Sequence, residues 1–411
     1  MSKRWGKVAL SCLAVLVVLG TLLVGCGKEE GEGKIVITIG HISDMTGPAS
    51  TALVPINYAA RDLANYYNDN NLIPGVELRV VDYDARYDPS RDIPGWEWIK
   101  SKGAILGLTA LPTTAETLKA PAEKDKMPIW ALSYSEVLDY PPGWVFLINV
   151  PNRALINPLL KWVSQNDWDY NTKGIPKVGS AGWEEPYAIG CKNAVRDYVL
   201  AHPDKFQYVG GYLVPAGGMA WGGEVLALKN CDYLWPPSTG TGITTFMNEF
   251  RDKGGKAKFI GTDSHAAYRG LIVDSVGWDR VDGMLATSPT RWWTETSSIV
   301  DLAKQLLQKN HAADYDEIIH AGIGYVGGFH QLYAFFQVIK KAIEDVGAAN
   351  FNGQAFYNTA ISFETQWPGY EKWGFTATKR YAWSGVGLYK WSKADQNIVR
   401  LVDPWLSIDV T

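Results

Sequence analysis

A β-branched run, Ile35-Val-Ile-Thr-Ile-Gly40, begins the regular part of the chain and predicts a strand. A turn signal follows at Thr46-Gly47-Pro48, and Tyr58 to Asn68 has the apolar spacing of a helix. Glu77 to Asp82 then has the composition of a second strand. Because strand, helix and strand follow one another in this order, the region predicts a βαβ unit with parallel strands.

The same alternation continues to residue 150 and then restarts. The first half adds predicted strands at Ala104–Leu108, Ile129–Leu132 and Val145–Val150, with helices at Trp96–Lys102 and Thr114–Lys126. The second half has predicted strands at Val178–Ala181, Tyr208–Val214, Cys231–Trp235, Lys258–Gly261 and Gly283–Thr287. Predicted helices lie between them, near Tyr187–Ala201, Trp221–Lys229, Thr244–Lys253 and His265–Val276. Two such units in tandem predict an α/β fold with two doubly wound parallel-sheet lobes. The carboxyl ends of both sets of strands would face the cleft between the lobes, where open α/β sheets bind ligands.

The last third of the chain is less regular. Ile299–Lys309 and Val326–Val346 have helical spacing, whereas Thr376–Leu401 alternates and contains a turn signal at Lys393–Asn397. This alternation predicts a hairpin near the carboxyl terminus.

The amino terminus has the features of an export segment. A basic flank that includes Lys3 and Arg4 precedes the uncharged apolar run Val8–Val24. Leu23-Val24-Gly25-Cys26 resembles the bacterial lipobox, so residues 1–25 are predicted to be a lipoprotein signal peptide and Cys26 the lipidated residue. The alternative is a plain signal peptide or membrane anchor with an incidental cysteine. Residues 26–34 are charged and glycine-rich and predict a flexible tether, which would hold a folded domain on the outer side of a membrane.

Composition and charge exclude several classes of protein. Hydrophobic residues make up 46% of the chain and charged residues 20%, which is a globular balance. The formal charge is −4, and it becomes more negative once the basic leader is removed, so a nucleic-acid partner is not expected. The chain has 18 tryptophans but only 6 histidines and 4 cysteines, and it contains no HExxH, paired CxxC or GxSxG motif. We therefore expect no metal, no cofactor and no catalytic residue.

Two sequence features have competing interpretations. Cys191 and Cys231 are the only cysteines that remain after export and lipidation, and they form either a disulfide or, as the favoured interpretation, two buried free thiols. Gly322-Ile-Gly-Tyr-Val-Gly327 matches the dinucleotide-binding pattern but lacks a proper preceding strand. A helix amino end placed close to another backbone is the better account of these glycines.

Several segments together resemble the branched-chain amino-acid type substrate-binding proteins of ABC importers, which have the type 1 periplasmic-binding fold. The segments are Ile39–Ala49, Asn57–Asn68, Gly75–Leu78 with Asp82 and Asp84, Ala104–Gly107, Met127–Ser133, Phe259–Asp263 and Gly324–Ala342. The resemblance covers nearly the whole chain after the leader. It implies two lobes joined by three crossovers, with residues 35–150 and about 291–373 in the first lobe and 151–290 and about 374–411 in the second.

The resemblance also implies a set of ligand-binding residues. In the family, hydroxyl and backbone N–H groups of the first lobe hold the ligand carboxylate, and an acid of the second lobe holds its ammonium. By position, the carboxylate would be held by Thr113, Thr114, Ser133 and Ser135 and the ammonium by Asp263, with Tyr187 and Tyr325 as aromatic walls. The alternatives are that the threonines and Asp263 cap helices and that the tyrosines are packing residues.

These features together favour a lipid-anchored receptor that faces the periplasm or the cell exterior. It would bind a small amino acid, amide or carboxylate-type ligand as a monomer and deliver it to the permease and ATPase subunits of an ABC transporter. The alternatives are an exported hydrolase with an unrecognised site and a sensory receptor without transport.

Overall fold

The structure is a computed structural model that describes residues 33–368 and 372–408. The predicted signal peptide and Cys26 lie outside the described residues. The strands are β1 Ile35–Ser43, β2 Val76–Asp84, β3 Ala104–Thr109, β4 Ile129–Ala131, β5 Val145–Leu147, β6 Lys177–Trp183, β7 Gln207–Val214, β8 Tyr233–Trp235, β9 Lys258–Thr262, β10 Leu285–Ser288, β11 Glu364–Thr365, β12 Trp373–Gly374, β13 Gly385–Ser392, β14 Asn397–Arg400 and β15 Leu406–Ser407.

The α-helices lie between and after these strands. They are α1 Ser50–Asp69, α2 Asp92–Ser101, α3 Pro112–Thr117, α4 Lys119–Asp125, α5 Glu136–Asp139, α6 Asn152–Trp162, α7 Tyr170–Lys173, α8 Pro186–Ala201, α9 Gly222–Leu228, α10 Gly240–Asp252, α11 Asp263–Ala267, α12 Arg269–Ser275, α13 Trp278–Val281, α14 Ser298–Asn310, α15 Tyr315–Ala321, α16 Gly324–Val346 and α17 Gly353–Ala360.

The strands form two main sheets, one in each lobe. The first sheet has the order β2-β1-β3-β4-β5, and all its neighbouring pairs are parallel. The second has the order β14-β13-β10-β9-β8-β6-β7, and its strands from β10 to β7 are parallel. In both sheets the first strand of the lobe lies inside the sheet and its neighbours extend to either side. The predicted α/β fold with two doubly wound parallel-sheet lobes is therefore confirmed.

The chain crosses between the lobes three times. The first crossover follows β5, and the second follows β10, after which α14 packs on α1 of the first lobe. Tyr381 still pairs with Leu147 in the first lobe, whereas Gly385 begins β13 in the second sheet. We therefore place the third crossover at 382–384, later than the boundary near residue 373 expected from the sequence.

The terminal hairpin lies where the sequence predicts it. β13 and β14 are antiparallel neighbours joined by a turn between Ser392 and Asn397. β13 also pairs antiparallel with β10, so the hairpin extends the second sheet at its edge. The hairpin therefore closes the edge of the second lobe with residues from the end of the chain.

Two predicted helices are broken in the structure. The helix expected at 114–126 is divided into α3 and α4, because Pro121 lacks the N–H group that a continuous helix would need there. The helix expected at 265–276 is divided into α11 and α12 at Tyr268, whose φ and ψ are −109° and 23°.

An aromatic cluster fixes α16 on the first sheet. The Trp130 ring of β4 stacks on Phe335 with 5.2 Å between ring centroids, and its Nε1 donates to the carbonyl oxygen of Gln331 at 3.1 Å. Trp130 is fully buried, as are most of its aromatic neighbours. Since burial of such large rings stabilises a core strongly, a late segment of the chain is held in the first lobe, where its amino end reaches the cleft.

Candidate ligand-binding site

A cavity of about 130 Å³ lies between the lobes, at the carboxyl ends of strands from both sheets. The lining residues of the first lobe come from the start of α1, from the loops after β2, β3 and β4, and from the start of α16. The second lobe contributes the loops after β6, β8 and β9. The main polar residues on the cavity wall, from both lobes, are Ser133, Asn149, Glu185, Tyr187, Thr239, Asp263, Ser264, Tyr268 and Gln331.

Asp263 is the centre of a hydrogen-bond network in this cavity. Its Oδ2 accepts from Asn149 Nδ2 at 3.0 Å, and its Oδ1 accepts from the Tyr187 hydroxyl at 3.1 Å and from the Ser264 N–H at 3.0 Å. Asn149 lies in the first crossover, so these bonds connect the hinge to the second lobe. Burial raises the pKa of the Asp263 carboxyl, although the Asn149 and Tyr187 hydrogen bonds oppose this shift.

Glu185 is a second carboxyl group on the cavity wall. It lies just before α8 and is only 3% exposed. Its two oxygens accept from the N–H groups of Tyr187 at 2.9 Å and Ala188 at 2.6 Å, so the side chain caps the helix. Burial raises the pKa of Glu185 to about 7 despite these hydrogen bonds. A proton can therefore leave or join this group near neutral pH.

Three phenol rings enclose the same space. Tyr187 and Tyr268 come from the second lobe and Tyr87 from the first. Tyr87 has a φ of 56°, in the left-handed region that a tyrosine seldom adopts. The lobes also touch beside these rings, since a Cβ placed on Gly240 would lie 2.5 Å from the carbonyl oxygen of Pro48. The lobes are thus in close contact beside the cavity.

The structure brings three of the predicted site residues together. Ser133, Tyr187 and Asp263 line the cavity. Thr113 lies at the start of α3 but does not reach the cavity wall. The other three predicted residues bond to side chains elsewhere: Thr114 donates to Asp92 Oδ1 at 2.8 Å, Ser135 to Glu116, and Tyr325 to Asp62 Oδ2 at 2.6 Å.

The alternative of helix capping is also not what the structure shows. Leu111 occupies the cap position of α3 and makes no side-chain capping bond. Thr262 caps α11 in a reciprocal arrangement with His265, and Asp263 is the first residue of that helix. Asp263 is therefore not the cap of this helix, and its side chain lines the cavity.

The sequence reasoning missed Glu185, Asn149, Tyr87, Tyr268 and Gln331 as lining residues. Glu185 carried a recognisable signal, since it follows a predicted strand and precedes Pro186 at the start of a helix. Tyr268 had no such signal, because its position depends on the break between α11 and α12. Gln331 lies on the second turn of α16, which reaches the cavity only through packing on the first lobe.

The glycines of the dinucleotide-like pattern serve helix packing, as the favoured interpretation predicted. A Cβ on Gly324 would lie 2.6 Å from the carbonyl oxygen of Ala52, so α16 touches the backbone of α1 directly. Gly322 has a φ of 143° and lies against the backbone of Ala266. The pattern thus marks close contacts between backbones, and the Ile323 N–H also donates to Ala266 in the second lobe at 3.0 Å.

Within residues 33–368 and 372–408, no three His, Cys, Asp or Glu side chains come together as a metal site. Over the same ranges, no helix has both the length and the apolar character needed to span a bilayer. Cys191 and Cys231 are buried free thiols, as the favoured interpretation expected.

Two α/β lobes, three crossovers and a cavity between the lobes that two buried carboxyl groups line define a bilobal binding protein. The chain belongs to the periplasmic binding protein family, whose model matches residues 36–396. The family resemblance inferred from the sequence is therefore confirmed. No curated protein sequence matches the chain.

Solved structures show the same fold. A branched chain amino acid ABC transporter protein from Thermus thermophilus with bound valine is 18% identical, with a TM-score of 0.77 over 91% of this chain and 97% of that chain. A solute binding protein from R. palustris in complex with 4-hydroxybenzoate is 17% identical, with a TM-score of 0.75 over 91% and 97%. A possible leucine/isoleucine/valine-binding protein from Rhodopirellula baltica SH 1 is 13% identical, with a TM-score of 0.74 over 90% and 97%.

Proposed function

We propose that this protein is an extracytoplasmic solute-binding receptor that delivers its ligand to an ABC permease. It binds a small amino acid, amide or carboxylate-type ligand as a monomer and has no chemistry of its own, since the partner ATPase supplies the energy for transport. Family membership supports the receptor role. The valine and 4-hydroxybenzoate named for the two similar structures support a ligand of this size.

The single observation that carries the proposal is the Asp263 network on the cavity wall. The carboxyl group is desolvated, and its protein partners are an amide, a phenol and a backbone N–H rather than a cation. Buried charges need a partner, and a ligand nitrogen between the lobes would provide one. Because the same network includes Asn149 of the crossover, a bound ligand would act directly on the hinge.

A thermal-shift screen of small amino acids, amides and carboxylates tests this function. A ligand at a hundred times its dissociation constant should stabilise the protein by about 2.7 kcal/mol. Small-angle scattering with the same ligand should show a smaller radius of gyration, because a ligand that bridges the lobes favours the closed state. If no solute in a broad screen shifts the unfolding midpoint, the receptor function is wrong.

We also propose that acyl chains on Cys26 anchor the receptor to its membrane. The support is the lipobox-like sequence Leu23–Cys26, which follows an apolar run and a basic flank. The Cys26→Ser variant should lose all label when cells are fed a labelled fatty acid, because it lacks the acyl-accepting thiol. A Cys231→Ser variant is the control and should retain the label, because Cys231 is buried in the second lobe. Label retained by Cys26→Ser would contradict the anchor.

A further inference from the structure

The cavity has an unbalanced charge. Of the described residues that line it, Glu185 and Asp263 carry carboxyl groups, and none is lysine, arginine or histidine. Both carboxyl groups belong to the second lobe, and their hydrogen-bond donors are neutral groups. A ligand carboxylate would therefore add another negative charge beside two buried carboxyl groups, where repulsion between like charges is stronger than in water.

The first lobe offers little to hold a ligand carboxylate. Where hydroxyl groups were expected after β3 and β4, the wall is formed by Ala110, Leu111, Pro112, Leu132 and Ser133. The hydroxyl groups of Thr114 and Ser135 donate to Asp92 and Glu116 instead. Ser133 is thus the only one of the four predicted hydroxyl residues on the described cavity wall. A single hydroxyl group at these positions offsets less of the cost of desolvating an anion than the four that the resemblance implies.

An unpartnered acceptor on the wall also indicates a hydrogen-bond donor on the ligand. Gln331 is 6% exposed and lines the cavity from α16. Its Oε1 is buried and has no hydrogen-bond partner among the described residues. Buried carbonyl oxygens nearly always accept a hydrogen bond. This observation does not depend on the two acids, yet it favours the same kind of ligand.

We propose that the cavity takes a small organic cation, a ligand whose head group is a protonated nitrogen and that carries no carboxylate, such as an amine or an amino-acid amide. The inference rests on the proposed receptor function but differs from it in the ligand class, because it replaces carboxylate-bearing ligands by cations without a carboxylate. An ammonium group offsets part of the negative charge of the two acids and donates hydrogen bonds to their free lone pairs. Tyr87, Tyr187 and Tyr268 line the same cavity, and aromatic rings attract cations that lie over their faces.

Matched probes with one apolar body and different head groups test the charge preference. L-valinamide is a cation, L-valine a zwitterion and 3-methylbutanoate an anion. Tyramine and 4-hydroxyphenylacetate form an aromatic pair of opposite charge. Calorimetry with the full chain should give at least tenfold tighter binding for each cation than for its zwitterionic or anionic partner.

A variant of Glu185 distinguishes an effect on ligand binding from an effect on folding. Glu185→Gln keeps an oxygen that can accept from the Ala188 N–H but removes the negative charge, so we expect at least a tenfold loss of L-valinamide affinity and a smaller preference over L-valine. Glu184→Gln is the matched control, because Glu184 is exposed and adjacent in sequence. A purely structural role of Glu185 would change stability and leave the preference between the two probes unchanged.

The failure of the inference and that of the receptor function are distinguishable. Tighter binding of the zwitterion or the anions would overturn the cation inference and leave the receptor function intact. If none of these probes binds, the inference is also wrong, whereas the receptor function falls only if the broad solute screen gives no ligand. An unchanged preference in Glu185→Gln would overturn the role given to that residue.

Discussion

Glu185 shows how one carboxyl group serves both a helix and a cavity. Its oxygens cap α8, which favours a negative charge at the helix amino end, yet its burial disfavours that charge. The second effect is the larger one, because the pKa is raised to about 7 from an ordinary value of 4.5. A folded-state pKa above the unfolded one means that the stability contributed by the protonated form is lost as the pH rises through 7.

Glu185→Gln should therefore change how stability depends on pH. The unfolding free energy of the variant minus that of the wild type should increase by up to about 3 kcal/mol between pH 4.5 and pH 8, because only the wild type has to ionise a buried carboxyl group. Urea unfolding at each pH measures this difference. Loss of a capping hydrogen bond lowers stability equally at every pH, so it does not contribute to the change with pH. Glu184→Gln should show no such trend. A difference that stays constant with pH would contradict the raised pKa of Glu185.

Asp263→Ala should weaken ligand binding far more than it changes folding. Loss of a desolvated charge that contacts the ligand costs about 2–5 kcal/mol of binding, roughly 30-fold to several thousand-fold in affinity. Stability should not fall as it would for a lost helix cap, because Thr262 caps α11. Calorimetry with a ligand from the screen and urea unfolding measure the two effects. Asp279→Ala, which changes an exposed acid, is the control. If the affinity of Asp263→Ala stays within threefold of the wild type, Asp263 does not belong to the ligand site.

At the scale of elements, the glycines of α16 decide how close two helices can lie. Gly324 places the start of α16 against the carbonyl oxygen of Ala52, and Gly328 lies against the Ile56 side chain. Both contacts are beside the cavity, and Gly324 and Gly328 line it. The close approach of α1 and α16 therefore shapes one wall of the site as well as the core of the first lobe.

Gly324→Ala should destabilise the protein by about 1–3 kcal/mol, because a Cβ 2.6 Å from a carbonyl oxygen forces the two helices apart. Gly223→Ala is the matched control near the start of another helix, where a Cβ meets nothing within 4 Å. That variant should gain up to about 1 kcal/mol from helix propensity. Urea unfolding measures the free energy of unfolding of both variants. Equal values for the two would show that the α1–α16 contact can relax.

At the scale of the whole molecule, three crossovers allow the lobes to rotate while cavity contacts hold them together. The contact between Gly240 of α10 and Pro48, just before α1, lies where the lobes meet. A Cβ at Gly240 would be 2.5 Å from the Pro48 carbonyl oxygen and would obstruct the closed arrangement. A ligand that needs the closed state then binds more weakly, because its apparent affinity is proportional to the fraction of molecules that are closed.

Gly240→Ala should lower ligand affinity at least tenfold and increase the radius of gyration of the ligand-bound protein. Both effects follow from the clash with Pro48. The φ of 55° at residue 240 also strains an alanine, but this strain lowers stability locally and does not separate the lobes. Gly217→Ala is the control, since Gly217 has a φ of 83° but open space around its Cβ position. Calorimetry and small-angle scattering measure the two effects. Wild-type affinity in Gly240→Ala would mean that closure tolerates the added methyl group.

The sequence by itself determined the order and type of the elements. The period-2 and period-3.6 patterns of residues 35–150 and their repetition afterwards predicted two parallel-sheet lobes, and the terminal hairpin was correctly predicted, because such patterns record which faces are buried. The positions of Asp263 after β9 and of Ser133 after β4 likewise followed from the ends of strands, whereas Tyr187 was implied by the family resemblance.

Only the tertiary structure decided which side chains share the cavity. Thr114, Ser135 and Tyr325 carry suitable polar groups, but Asp92, Glu116 and Asp62 bind these groups through contacts between elements that no local pattern records. The chain places Gln331 far from Asp263 in sequence, and packing of α16 on Trp130 brings both to one cavity. Local sequence fixes where a strand ends, whereas the partners of a side chain depend on how distant segments pack.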